Sequence, residues 1–216
     1  MENIFNRSYY QLTKRGLQCI GHWPFQSVKK RRFLRCLTYI LVTTIVVPKI
    51  IKLIESLHDW DIVIECLPML GCHTMAQAKF FNWIIMEDHM KKLFLTIKRD
   101  WESLKLECDF KILHEWSDQA RRLNIFYATS LFGVLLVYFS SPSVPKILDL
   151  LHPLNETRPR IFLYQTEFFI DQDKYYVYLL IHSYVTVALA LAYIVICDNL
   201  FTTFVNHACG MFEILK

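Results

Sequence analysis

The stretch YYVYLLIHSYVTVALALAYIVIC, residues 175–197, contains no Asp, Glu, Lys or Arg. Neither does LNIFYATSLFGVLLVYFSSPSVP, residues 123–145, and each run is 23 residues long. At about 1.5 Å of rise per residue, a helix of that length covers about 34 Å, enough for a hydrocarbon layer of about 30 Å. A helix packed on a water-soluble core needs a polar face, and these runs have none. They predict an all-α fold: a polytopic membrane helix bundle.

Composition agrees. Of the 216 residues, 54% are hydrophobic and 20% charged, and the mean hydropathy is +0.25. Aromatic residues reach 15%, with 16 Phe and 11 Tyr against 5 Gly, an excess suited to headgroup-level anchoring and ring-lined interiors. The basic stretches flank apolar segments and do not alternate with a stacking surface, so the pattern excludes nucleic acid as a partner. Seven cysteines are scattered without a C-x-x-C pair. Cys66, Cys72 and His73 lie close in sequence, but with no second pair they read as packing residues and no metal or other cofactor is expected.

From the two strong runs the segmentation extends outward. Residues 1–32 form a polar, basic N-terminal segment ending in Lys29, Lys30, Arg31 and Arg32. A first span is expected over 33–54, with Pro48 as a kink and Lys49 and Lys52 near one end, where long side chains can snorkel to the interface. Residues 55–61 form a short loop and 62–86 a second span, which carries Glu65, Pro68, Gly71 and Lys79. Residues 87–122 are charged yet periodic: Leu93, Ile97, Trp101, Leu104 and Cys108 predict a helical loop built from extensions of the neighbouring spans. The third span covers 123–141, stopped by Pro142 and Pro145. A polar loop with aromatic islands covers 142–174, the fourth span 175–205, and 206–216 close the segmentation.

Orientation follows from the bases. The segment through Arg35 and the 87–122 loop hold 16 Lys and Arg together, whereas the two loops on the other side hold 4. Positive residues stay inside, so the N-terminus and residues 206–216 are expected in the cytoplasm. Two glycosylation sequons, at Asn6 and Asn155, fall on opposite faces, and this orientation exposes Asn155 to the lumen.

Local sequence carries a resemblance. The stretch PLNETRPR at 153–160, DQDKYY at 171–176 and HACGMF at 207–212, set on four long helices, resemble the tuning subunits of the insect odorant receptor family. The likeness is specific in the second half and weaker before Ile112. It implies an odorant-gated, non-selective cation channel in the plasma membrane of a sensory neuron. There a tuning subunit assembles with a shared odorant receptor co-receptor and a small volatile odorant is the ligand. The family has seven spans, with the odorant pocket in the outer leaflet and the pore lined by the seventh. Four spans are read here, so the resemblance implies an incomplete chain that lacks the pore helix.

With that orientation, the outer halves of spans two to four supply candidate ligand-binding residues: Met69, His73 and Met75; Phe132, Leu136 and Phe139; and Tyr178, His182 and Val185. A volatile ligand offers few polar handles, so an apolar wall with one or two hydrogen-bonding groups such as Tyr178 and His182 fits it. Deeper, Lys79 and Asp198 lie about 26 and 34 Å below the outer ends of their spans. Ionisable groups inside spans are costly and usually paired, so an intramembrane ion pair between them is expected, against the alternative of water-bathed helix ends. No H-E-x-x-H or glycine-rich phosphate loop is present, so no enzyme is expected. A G-protein-coupled receptor would place the N-terminus outside, against the base asymmetry. A gustatory receptor of the same superfamily is the nearest alternative.

Overall fold

The computed structural model describes residues 4–152 and 158–216. Among them all regular structure is helical. The elements are α1 (Ser8–Cys19), α2 (Val28–Glu55), α3 (Trp60–Ile85), α4 (Glu87–Ser103), α5 (Glu107–Phe139), α6 (Val144–Leu151) and α7 (Tyr176–Ile214), with single 3-10 turns at Ile4–Asn6 and Ser141–Ser143. Asn155, the expected glycosylation site, lies outside the described residues.

Three helical segments are long and apolar enough to cross a membrane: Val28–Glu55, Glu107–Leu151 and Tyr176–Ile214. In the second, only 11% of the most apolar window is buried by protein. Exposed apolar surface on that scale belongs in lipid. Helix α3 has the length, at 26 residues, but Pro68, His73, Gln77, Lys79 and Asn82 interrupt it, and it is not among the three segments that qualify.

The chain divides into two compact units. Unit 1 comprises Met1–Tyr39, Ala78–Thr129 and Ala192–Lys216; unit 2 comprises Ile40–Gln77 and Ser130–Leu191. Unit 1 has an aromatic core. The Phe5 and Phe94 rings meet edge to face at 5.6 Å, Tyr9 stacks on Trp101 at 5.7 Å, and Trp101 Nε1 donates to the Tyr10 hydroxyl at 2.9 Å. Burial pushes the Tyr10 phenol up to about 12, so it stays a neutral acceptor.

The expected stripe on α4 is partly displaced. Ile97 and Trp101 are buried, but Phe94 takes the place assigned to Leu93. Leu104 caps the helix with extended backbone, and Cys108 is exposed on α5 beyond the break. The start of α4 is fixed electrostatically. Glu87 accepts from Arg31 Nη1 at 2.6 Å and Arg35 Nη1 at 2.8 Å, and an acidic first turn also suits the helix dipole. Burial pushes the Glu87 carboxyl up, but the Arg35 hydrogen bond and the charges of Arg35, Arg31 and Lys91 outweigh it and hold the group below its ordinary value.

The turn between α1 and α2 needs Gly21 at φ +74°, where a Cβ would lie 2.7 Å from the Arg31 carbonyl oxygen. Arg35 Nε donates to the Gly21 carbonyl at 2.9 Å and to His22 Nδ1 at 3.1 Å. His22 Nδ1 is therefore an acceptor, and its Nε2–H faces the Tyr193 hydroxyl. A second proton would have to point at the guanidinium. Burial first, then the Arg35 and Arg31 charges, lower the imidazole to about 3.

In unit 2 the prolines start structure where they were expected only to stop it. Pro142 opens the 3-10 turn and Pro145 the first turn of α6, positions where a missing N–H costs nothing. The segment expected as a polar loop thus begins with a helix. Its later part folds inward, with Leu163 and Tyr164 buried beside Ile45, Val46, Leu135 and Val187.

Candidate functional site

Helix α2 places Lys49 in the core of unit 2. Snorkelling was expected; instead the side chain is 1% exposed. Its Nζ stands 3.7 Å from the centroid of the Tyr164 ring and 3.3 Å from His73 Nδ1. The face of an aromatic ring attracts a cation, but among the described residues no carboxylate pairs with this one.

His73, on α3, is fully buried. Its Nδ1 is 2.7 Å from the Met69 carbonyl oxygen, which requires a proton on Nδ1. Nε2 then carries a lone pair, buried without a partner among the described residues. Tyr164 is held from its far end: its hydroxyl lies 3.3 Å from Thr186 Oγ1, whose own proton goes to the His182 carbonyl at 2.9 Å. The result is a group of one buried amine, one bare imidazole nitrogen and one anchored phenol ring. Its surroundings are Ile45, Val46, Val187 and the partly buried rings of Tyr138, Phe139, Phe168 and Tyr184. Chemically the group offers a donor at Lys49 and an acceptor at His73 Nε2.

The structure brings some of the expected ligand residues together and leaves others apart. Met69 and Phe139 pack on the same core as His73's neighbours. His182 is half-buried, with Nε2 3.0 Å from Thr44 Oγ1 and its ring 6.0 Å from Phe168. Thr44 spends its proton on the Leu41 carbonyl, so His182 Nε2–H is the donor of that pair. Phe132, Met75 and Val185 are exposed, as are Leu136 at 70% and Tyr178 at 74%, and these five do not converge on the group. On α5 the inward positions are Leu135, Tyr138 and Phe139, one residue out of register with the expected Leu136. On α7 they are Leu180, Tyr184 and Val187, which leaves Tyr178 outward.

Lys49 and Tyr164 are the participants that the sequence reading missed. Lys49 follows Pro48 near a helix end, where a surface lysine is the ordinary expectation. Tyr164 lies in an aromatic island, and a buried ring there was the available signal.

A second polar group belongs to unit 1. Lys79 Nζ lies 2.5 Å from Asp198 Oδ1, and the Tyr127 hydroxyl donates to Oδ2 at 2.9 Å. The pair lines a cavity of about 360 Å³ together with Asn82, Trp83, Met90 and Phe204. With both carboxylate oxygens engaged by this unit's own groups, the arrangement acts as a structural tie between α3, α5 and α7. No family model, no curated protein and no solved structure matches this chain.

Proposed function

We propose that the chain is a tuning subunit of the odorant receptor kind. In this reading it contributes an odorant site to a heteromeric cation channel in the plasma membrane of a sensory neuron, beside a shared co-receptor. It crosses the bilayer four times, with α3 as the span most interrupted by polar residues and the N-terminus in the cytoplasm.

The observation that carries this reading is the buried Lys49–His73–Tyr164 group. A buried lysine with no carboxylate partner among the described residues and an unpartnered imidazole nitrogen in an apolar interior are expensive, and such groups inside membrane helices mark ligand or ion sites. The resemblance at 153–160, 171–176 and 207–212 supplies the receptor class. The bases support the orientation, since 18 of the 24 Lys and Arg fall in unit 1, which holds every segment assigned to the cytoplasm.

The test is thermal unfolding of the purified chain in lipid nanodiscs with volatile alcohols, ketones and aldehydes, each matched to an alkane of equal length. A ligand at a hundred times its Kd stabilises by about 2.7 kcal/mol. The expected result is stabilisation by an oxygenated volatile, absent for its alkane and lost in Lys49→Met and in His73→Phe. Stabilisation by none of the panel overturns the ligand reading. A cytosolic N-terminal tag with a glycosidase-sensitive Asn155 is the expected topology, and a tag at the cell surface overturns it.

A further inference from the structure

We propose that unit 1 carries a site for an anionic glycerophospholipid where α2 begins. This goes beyond the receptor reading and needs only that the chain sits in a bilayer.

Five bases, Lys29, Lys30, Arg31, Arg32 and Arg35, occupy the start of α2. One carboxylate serves them: Glu87 takes Arg31 and Arg35 at 2.6 and 2.8 Å. Lys29, Lys30 and Arg32 are exposed and form no ion pair among the described residues. Arg35 is fixed in place by Gly21, His22 and Glu87, yet its Nη2 is buried with no acceptor among the described residues. Arg35 therefore anchors the start of α2, and the charge open to a headgroup is that of Lys29, Lys30 and Arg32.

The same Arg35 lines a groove of about 330 Å³ with Arg32, Tyr39, Phe80, Phe81 and Ile84. Its walls are ring stacks: Tyr39 lies parallel to Phe80 at 5.5 Å and edge-on to Phe81 at 5.6 Å. The groove itself is wholly apolar, and the exposed bases Lys29, Lys30 and Arg32 flank it on the same helix. From Arg32 to Tyr39 the helix advances about 10 Å, so a basic end and an apolar end stand about that far apart. A free phosphate or carboxylate would use only the first end. A phosphodiester with an acyl chain below it uses both. Clusters of Lys and Arg beside a membrane helix bind anionic headgroups, and here the apolar groove adds a seat for the chain.

Native mass spectrometry of the full chain, released from micelles containing equimolar palmitoyl-oleoyl phosphatidylserine and phosphatidylcholine, tests this. We expect one phosphatidylserine retained with at least tenfold preference. The triple variant Lys29→Gln, Lys30→Gln, Arg32→Gln leaves the Arg31, Arg35 and Glu87 contacts untouched, and unchanged helicity by circular dichroism verifies its fold. At about fivefold per base, the three bases together outweigh a tenfold preference, so in this variant the preference should fall to near parity. Ile84→Trp fills the groove without changing charge and should release the two-chain lipid. Soluble glycerophosphoserine should fail to displace that lipid at equal concentration. Equal retention of both lipids, or an unchanged preference in the triple variant, overturns the site. Displacement by glycerophosphoserine overturns it as a lipid site and leaves a headgroup-only anion site.

Discussion

Replacing Lys79 by Met and Asp198 by Asn, singly and together, asks whether their contact is an energetic tie. Their side chains are 30% and 34% exposed and meet at 2.5 Å. A fully exposed ion pair is worth about 0–1 kcal/mol, and breaking a fully buried one costs about 3–5 kcal/mol. One-third exposure lies between, so each single change should cost about 2 kcal/mol. Tyr127 keeps an acceptor in Asp198→Asn, which limits that loss to the charge itself. The double variant leaves no uncompensated charge, so it should lie about 1–1.5 kcal/mol above the sum of the singles. On the scale of a domain of 150–250 residues, the single losses correspond to a Tm lower by about 4–8 °C. Thermal unfolding in detergent, followed by tryptophan fluorescence, reads all four corners of the cycle. Additivity within about 0.3 kcal/mol would refute the tie and assign both groups to independent solvation.

Three further outcomes follow from the geometry. Lys49→Met replaces a buried amine, without a carboxylate partner among the described residues, by an apolar chain of similar size and should raise stability by about 1–2 kcal/mol; a loss of that size in thermal unfolding would show that the amine's contacts outweigh its burial. His22 stays neutral in the fold down to about 3, whereas the unfolded chain takes up its proton near 6.5. Its contribution is therefore whole above pH 6.5 and declines as pH falls towards 3, and His22→Gln should flatten the acid limb of Tm against pH; an unchanged limb would remove His22 from the account. Gly21→Ala puts a methyl 2.7 Å from the Arg31 carbonyl at a positive φ and should cost about 1–3 kcal/mol in chemical denaturation, where a loss below 0.5 kcal/mol would show that the turn relaxes.

What could be read from sequence was what length and charge alone decide. The runs at 123–145 and 175–197 lack charge over more than a bilayer's depth, and both lie in helices of the required length and apolarity. The second expected span was harder because its polar residues dilute the signal, and the chain forms a helix there that falls short in apolarity. Facial assignments slipped most. In the uncharged parts of α5 and α7 most residues are apolar, so periodicity could not separate the buried side from the exposed side, and Leu136 and Tyr178 lie on the exposed one. Burial of Lys49 depends on a ring supplied from more than a hundred residues away, and no local pattern encodes that encounter.

The inward-folded segment after Arg158 has a temporal consequence. Tyr138 donates to the Leu163 carbonyl at 2.5 Å, Tyr176 to that of Ile161 at 2.9 Å, and the Glu167 amide to that of Pro48 at 3.1 Å. These latches keep Tyr164 seated over Lys49; under the proposed odorant reading, a molecule arriving from that side must wait for the tyrosine to swing out. Arrival would then follow a hyperbola, with the observed rate levelling off at the latch's own opening frequency however concentrated the vapour becomes.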